Sequence, residues 1–272
     1  MQSCVICGCV KNCENYLDQV FHNIQKIQNI FHKTKIIMSF DISHDFTLKK
    51  LIHLKKKFDI DIIINKEPIT QIRTVNIERA RNKIIKKIHD EYSDFDFFIM
   101  IDMDDVSSKP INIDVLKEPL KNNNEWDGLF FNNENYYDFW ALNFDHFQYS
   151  CWHSNNPKKL INIMNQEFQK KCKTNEKFIG CQSAFGGFGI YRTKKFKGCY
   201  YRSLIDLSLV NQDSNQNMNN KYDIQYKIRP HIYDCEHRYF HLNAIQQNNV
   251  KLFIYNENLF PPYSGEHTNI LY

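Results

Sequence analysis

Three carboxylates stand within four residues at Asp102-Met103-Asp104-Asp105, directly after the apolar run Phe97-Phe98-Ile99-Met100-Ile101. Like charges at that spacing raise one another's pKa unless a cation shares the site. Alternate carboxylates suit Mg2+ or Mn2+, hard ions that take one or two protein carboxylates and complete their shell with phosphate oxygens and water. The competing reading is a strand followed by an acidic, solvated turn or helix N-cap. Asp41 ends a second apolar run, where an acid either accepts hydrogen bonds from a ribose or base or caps the helix after it. Arg73, Arg79, Arg81 and Asn82 precede or occupy the helical segment before the acidic strand, and Arg presents planar, paired donors that match phosphate oxygens. Phe185-Gly186-Gly187-Phe188-Gly189 supplies backbone that either approaches a ligand closely or makes a tight turn. Tyr137 and Trp140 offer faces for a sugar ring, with Asp138 beside them to bond its hydroxyls, unless the aromatics are simply core.

The elements that must position these groups are legible as periodicity. Residues 4–10 read as a strand. A helix follows, with Leu17, Val20, Phe21, Ile24, Ile27 and Phe31 at three- and four-residue steps. Lys35 to Phe40 and Asp61 to Ile64 are further strands, separated by a helix striped with Leu48, Leu51, Ile52 and Phe58. Ile77, Ala80, Ile84, Ile85 and Ile88 mark a third helix before the strand at 97–101. Strand-helix alternation over about a hundred residues predicts a doubly wound, mostly parallel sheet with helices on both faces, whose ligands bind at the carboxyl ends of the strands. Beyond it, Gly128 to Phe131 reads as a strand, Leu160, Ile163, Met164 and Phe168 as a helix opened by Pro157, and Leu252 to Tyr255 as a late strand. Cys235-Glu236-His237 opens a helix. The Asn-rich stretch 211–220 reads as a loop.

The totals set bounds. The 272 residues, 42% hydrophobic and with 21 Phe and 15 Tyr, support a large folded core and exclude a disordered chain. A net charge of +4, with no basic block interleaved with aromatics, argues against a nucleic-acid surface. Nine scattered cysteines, an odd number, point to a reducing compartment, and Cys4 to Val10 read as a buried strand in preference to a zinc knuckle. No signal peptide or apolar run of membrane-spanning length is evident, so the expected location is cytoplasmic, host cytoplasm included.

Taken in order, Arg79-Ala-Arg-Asn82, a helix, Phe97-Phe-Ile-Met-Ile and Asp102-Met-Asp-Asp105 resemble the core of the nucleotide-sugar glycosyltransferases with the GT-A fold. Arg73, Tyr136-Tyr-Asp-Phe-Trp-Ala-Leu142, Phe185-Gly-Gly-Phe-Gly-Ile-Tyr191 and Cys235-Glu-His237 resemble, within that fold, the fungal capsule-type mannosyltransferases and related giant-virus-like glycosyltransferases. The resemblance implies one GT-A domain over 1–272, with a nucleotide-binding half at about 1–110 and an acceptor half at about 125–260. It implies a UDP- or GDP-linked sugar donor, a glycan or glycoprotein acceptor, and a Mn2+ or Mg2+ ion. Val10, Asp41, Arg73, Arg81, Asp102 and Gly187 would then lie at the donor, and Tyr137, Trp140 and Gly186 at the acceptor. Asp102 and Asp104 would hold the metal, with His237, or His267 in its stead, as a third ligand. Glu236 and Asp138 are the candidates to take the acceptor's proton; at Glu236 the alternative is a charge that answers the helix dipole, and capsule-type enzymes resemble retaining transferases, which would leave Glu236 without that role. A non-catalytic carbohydrate-binding relative is the alternative. A D-x-D phosphatase or phosphotransferase is weaker, because such enzymes carry the motif on their first strand.

Overall fold

The computed structural model describes residues 2–262 apart from 122–123, 205, 212 and 227–232. Its first half follows the predicted alternation: β1 (Ser3–Val10), α1 (Leu17–Gln28), β2 (Lys33–Phe40), α2 (Thr47–Leu54), β3 (Ile60–Ile64), α3 (Arg73–Glu91) and β4 (Phe97–Ile101). β1 is buried on both faces, as a central parallel strand must be. Its side chains alternate. Cys4 and Ile6 join the core that holds Leu17, Val20, Phe21 and Ile24 of α1, whereas Val5 and Cys7 join the opposite core with Ile84, Ile85 and Ile88 of α3. Each such fully buried aliphatic or Phe side chain contributes roughly 1.5–3 kcal/mol. The Cys7 thiol donates to the Ile99 carbonyl at 2.9 Å, tying β1 to β4.

The second half comprises α4 (Asp105–Ser108), α5 (Ile113–Lys121), β5 (Gly128–Asn132), α6 (Pro157–Cys172), β6 (Phe178–Cys181), β7 (Phe188–Arg192), α7 (Asp213–Tyr222), α8 (Glu236–Asn248) and β8 (Leu252–Asn258). All eight strands form one sheet in the order β3-β2-β1-β4-β7-β5-β8-β6. β1, β2, β3 and β4 are parallel, and β5 is parallel to β8. β7 runs antiparallel between β4 and β5. The carboxyl ends of β1, β2, β4, β5 and β8 therefore share one edge with the amino end of β7. That edge collects the acids after β4 and the glycines before β7.

Three differences from the sequence expectations stand out. Most of the Asn-rich stretch is helical, within Asp213–Tyr222, because Asn211 caps the Asp213 amide at 2.9 Å and Met218 is fully buried in the core. The third helix begins at Arg73, a turn before Ile77, with Thr70 and Asn76 bonded across its start. The first helix stops at Gln28, and Phe31 reaches the core from a turn whose amide bonds to the Gln28 carbonyl. His267 lies outside the described residues. Among the described residues no helix is long and apolar enough to cross a membrane.

Candidate active site

The site is assembled around one buried cation. Arg81 follows Ala80 on the face of α3 that packs onto β1 and β2, so its side chain is carried under the sheet edge and is only 4% exposed. Its Nη2 donates to Asp102 Oδ1 at 3.1 Å, and its Nη1 donates to Glu236 Oε1 and meets His237 Nε2. The guanidinium lies over the Phe185 ring at 4.8 Å and the Tyr201 ring at 5.6 Å. An isolated buried charge costs several kcal/mol, and two carboxylates with two aromatic faces offset that here. Burial opposes the charge on Arg81, but Glu236 and then Asp102 outweigh it and hold the guanidinium firmly protonated.

Glu236 opens α8, so the helix dipole also favours its charge. Burial nonetheless raises its pKa, and Arg81 only partly offsets this. His237 stacks on Phe185 at 3.8 Å between centroids. Burial, then Arg81, then His241 push its pKa far down, so the imidazole is neutral and its Nε2 accepts from Arg81. Its Nδ1 has no hydrogen-bond partner among the described residues. His237 thus faces a guanidinium.

Asp102 leaves the end of β4 with its amide bonded to the Gly187 carbonyl at 2.9 Å. Burial first, then the neighbouring Asp104, raise its carboxyl above the usual range, while Arg81 and Arg73 pull it back. Asp104 caps the short α4, accepting from the Val106 amide at 3.2 Å. The cap reading of this acid is therefore realised. Gly187, at φ +84°, is forced: a Cβ there would press on Tyr137 Oη and Val106 Cγ1, each at 3.3 Å. The carbonyl of Gly187 also accepts from the Ser107 hydroxyl at 3.4 Å, so this turn braces the D-x-D backbone.

Asp138 braces the same turn from the other side. Its Oδ2 accepts from the Gly186 amide at 3.0 Å and its Oδ1 from the Ala141 amide at 3.3 Å. Burial raises its pKa and these two amides lower it in part. Burial first, and then the charges of Asp138, Asp102 and Asp104, hold the Tyr137 phenol protonated. Trp140 packs edge-on against Trp152 at 5.7 Å.

At the other end, Asp41 accepts from the Asn65 amide and its backbone N–H bonds to the Val10 carbonyl at 3.0 Å. Val10 itself is buried, so only its backbone faces the edge. Arg73 is exposed at the first turn of α3, and its charge is felt by Asp102, Asp138 and Glu236. Cys9, read in the sequence as part of a buried strand, feels the charges of Arg81, Asp102, Asp41 and Glu236. Its thiol is pushed up to about 12 by burial, with Arg81 opposing and the three acids adding. Period-two alternation along β1 was the one signal that could have flagged it, since Cys7 and Cys9 share a face.

Among the described residues no three His, Cys, Asp or Glu side chains are close enough to form a ready-made metal cage. Asp102, Asp104 and His237 are therefore not a preformed triad. The two aspartates still fit a Mg2+ or Mn2+ ion that takes most of its ligands from phosphate and water. Asp102 and Glu236 pair with one buried guanidinium, and burial first, then Asp104, keeps the Asp102 carboxyl raised despite it.

No protein-family model matches this sequence, and no curated protein matches it either. Among solved structures, S. aureus TarS 1-349 in complex with UDP-GlcNAc superposes on 100% of this chain and 62% of its own, with a TM-score of 0.52 and 14% identity. A second S. aureus TarS structure matches 98% of this chain and 38% of its own, with a TM-score of 0.50 and 14% identity. The chain thus spans less than two thirds of the length of the structures it matches. This likeness establishes the fold: an α/β architecture of the GT-A type, with helices on both faces of a mostly parallel central sheet. A mannosyltransferase from Pyrobaculum calidifontis, PcManGT, in complex with GDP-Man and Mn2+, shows a fainter likeness: TM-score 0.43, 8% identity, 73% of this chain and 47% of that one.

Proposed function

We propose that this protein transfers a sugar from a nucleoside-diphosphate sugar to a hydroxyl of a glycan or glycoprotein acceptor, with a divalent cation. The observation that carries the reading is the pairing of Asp102 and Asp104 at the end of β4, on the ligand-binding edge of a GT-A sheet, with an excess of carboxylate around Arg81. Asp102 and Asp104 would hold Mn2+ or Mg2+ together with the donor diphosphate. Bound there, the ion would stabilise the charge that develops on the departing diphosphate. Arg81 holds Asp102 in register, and Glu236 and His237 hold Arg81. Arg73, exposed at the rim, is free to meet the diphosphate. Asp41, at the carboxyl end of β2, would accept from the ribose or base, with Val10 beside it.

Of the two candidate proton acceptors, Asp138 suits the task better. Glu236 has a side chain 5% exposed and committed to Arg81. Asp138 is oriented by two amides, retains free lone pairs, and has a basicity raised by burial. A carboxylate that deprotonates the acceptor as its oxygen attacks the anomeric carbon implies inversion. TarS, the matched structure, was solved with UDP-GlcNAc, which makes UDP the first nucleotide to try.

Calorimetry with UDP and GDP, with and without Mn2+, tests the reading. Binding that requires the cation and is lost in Asp104→Ala, at a melting temperature within a few degrees of the parent, is the expected outcome. No binding of either nucleotide to the folded parent would sink it.

A further inference from the structure

Exposed apolar side chains concentrate in one place on this protein. Of the eight large apolar residues that are most exposed among the described residues, five are Ile42, Phe46, Ile52, Ile64 and Ile69, at 43–65%. α2 carries the centre of the patch. Thr47, Leu51 and Leu54 turn into the core, so Phe46, Lys49, Ile52, His53 and Lys56 recur at three- and four-residue steps on the outward face. Lys49 Nζ lies 5.7 Å from the centre of the Phe46 ring, as a shared face requires. β3 is the outer strand of the sheet, and its Ile60 and Ile62 join the core that holds Leu51 and Leu54. By alternation, Ile64 at its end stands on the same side. Ile42 and Phe46 follow the carboxyl end of β2 and Ile64 closes β3, so the patch begins at the ligand-binding edge. From there it runs back along α2 to Lys57, over roughly 15 Å.

The charge of this face has one sign. Thr47 to Lys57 holds five lysines and no acid. Acids nearby are already engaged: Asp59 pairs with Lys35 at 2.6 Å, Asp61 with Lys35 at 3.1 Å and Lys87 at 3.2 Å, and Glu67 with Lys83. Asp45 accepts from the Glu14 and Thr47 amides, each at 3.0 Å, and Asp18 takes Lys50 at 2.8 Å. Lys49, Lys55, Lys56 and Lys57 are exposed and make no ion pair among the described residues. A short basic helix with a bulky apolar stripe complements an anionic lipid surface, where phosphates meet the lysines and the apolar groups enter the headgroup layer. Four of the five apolar groups are isoleucines, which give a nucleic-acid base no face to stack on. We propose that this face docks the protein peripherally on a membrane rich in anionic phospholipid, with the ligand-binding edge held beside the bilayer.

Flotation of the full chain with lipid vesicles tests this. The vesicles are phosphatidylcholine alone, and phosphatidylcholine with about one third phosphatidylserine, in about 0.1 M salt. The parent should bind the mixed vesicles and leave the neutral ones. Lys55→Gln with Lys56→Gln and Lys57→Gln should weaken binding by about tenfold or more, and Phe46→Ser with Ile52→Ser by about fivefold or more. All five side chains are exposed, so melting should stay close to that of the parent. Fluorescence of Phe46→Trp should shift to the blue with the mixed vesicles and stay unshifted with the neutral ones. No binding to the mixed vesicles, equal binding to both kinds, or binding indifferent to either set of changes would overturn the inference. So would a dimer that Phe46→Ser with Ile52→Ser splits, or binding to duplex DNA tighter than to the mixed vesicles.

Discussion

The two halves of the sheet solve different problems. From β1 to β4 the chain repeats one unit, and apolar residues at the expected steps lock parallel strands between two layers of helix. From β5 onward the chain crosses the sheet out of sequence order, inserts β7 antiparallel beside β4, and hangs its functional groups on turns. The first half makes an edge; the second half brings side chains to it. Backbone pattern governs the former, whereas single long-range contacts such as Arg81 to Glu236 govern the latter.

Cutting the contact that joins the halves should have the largest effect. Arg81→Met leaves the buried Glu236 without its partner, and breaking a buried pair costs about 3–5 kcal/mol. Thermal denaturation should show a fall of roughly 6–20 °C, and Glu236→Gln added to Arg81→Met should restore part of it. A fall no greater than that of a surface substitution would mean that the halves are not energetically coupled through this cation.

Asp138→Asn separates chemistry from scaffold within the second half. The amide still accepts from Gly186 or Ala141, so melting should change little. Transfer should drop by roughly 10²–10⁴-fold, the usual worth of a general base, with nucleotide affinity retained. Equal loss in Glu236→Gln with Asp138→Asn active would reverse the two roles.

A pH series sharpens the first half. The raised carboxyl of Asp102 means that a proton competes with the cation at pH values where an ordinary aspartate is already ionised. Mn2+ affinity should therefore rise with pH through the range above the usual aspartate value, and titration calorimetry at several pH values reads this directly. A flat profile would remove Asp102 from the cation's shell. The smallest effect belongs to Arg73→Ala. The residue is exposed, so stability should stay within about 0.5 kcal/mol, while nucleotide affinity weakens several-fold.

How far the sequence foretold all this divides along the same line. β4 and its acids were legible because five apolar residues followed by alternating aspartates satisfy a local rule. Strands and helices up to residue 101 were legible for the same reason. α7 was not, since Asn-rich composition argues for a loop and only the burial of Met218 and the Asn211 cap argue otherwise. Nor was the partner of His237: a histidine at a helix start reads as a metal ligand or a surface group, and only tertiary contact shows Arg81 against its ring nitrogen. The brace from Gly187 to Asp102 depends on β7 pairing with β4, which no periodicity announces.

The 155 positions between Arg81 and Glu236 also order events in time. A ribosome adding about 5–20 residues per second needs roughly 8–30 s to cover that distance. During this interval the guanidinium is already made and its principal counter-charge is not. Nascent chains therefore hold this cradle open and hydrated until the last quarter of the chain emerges.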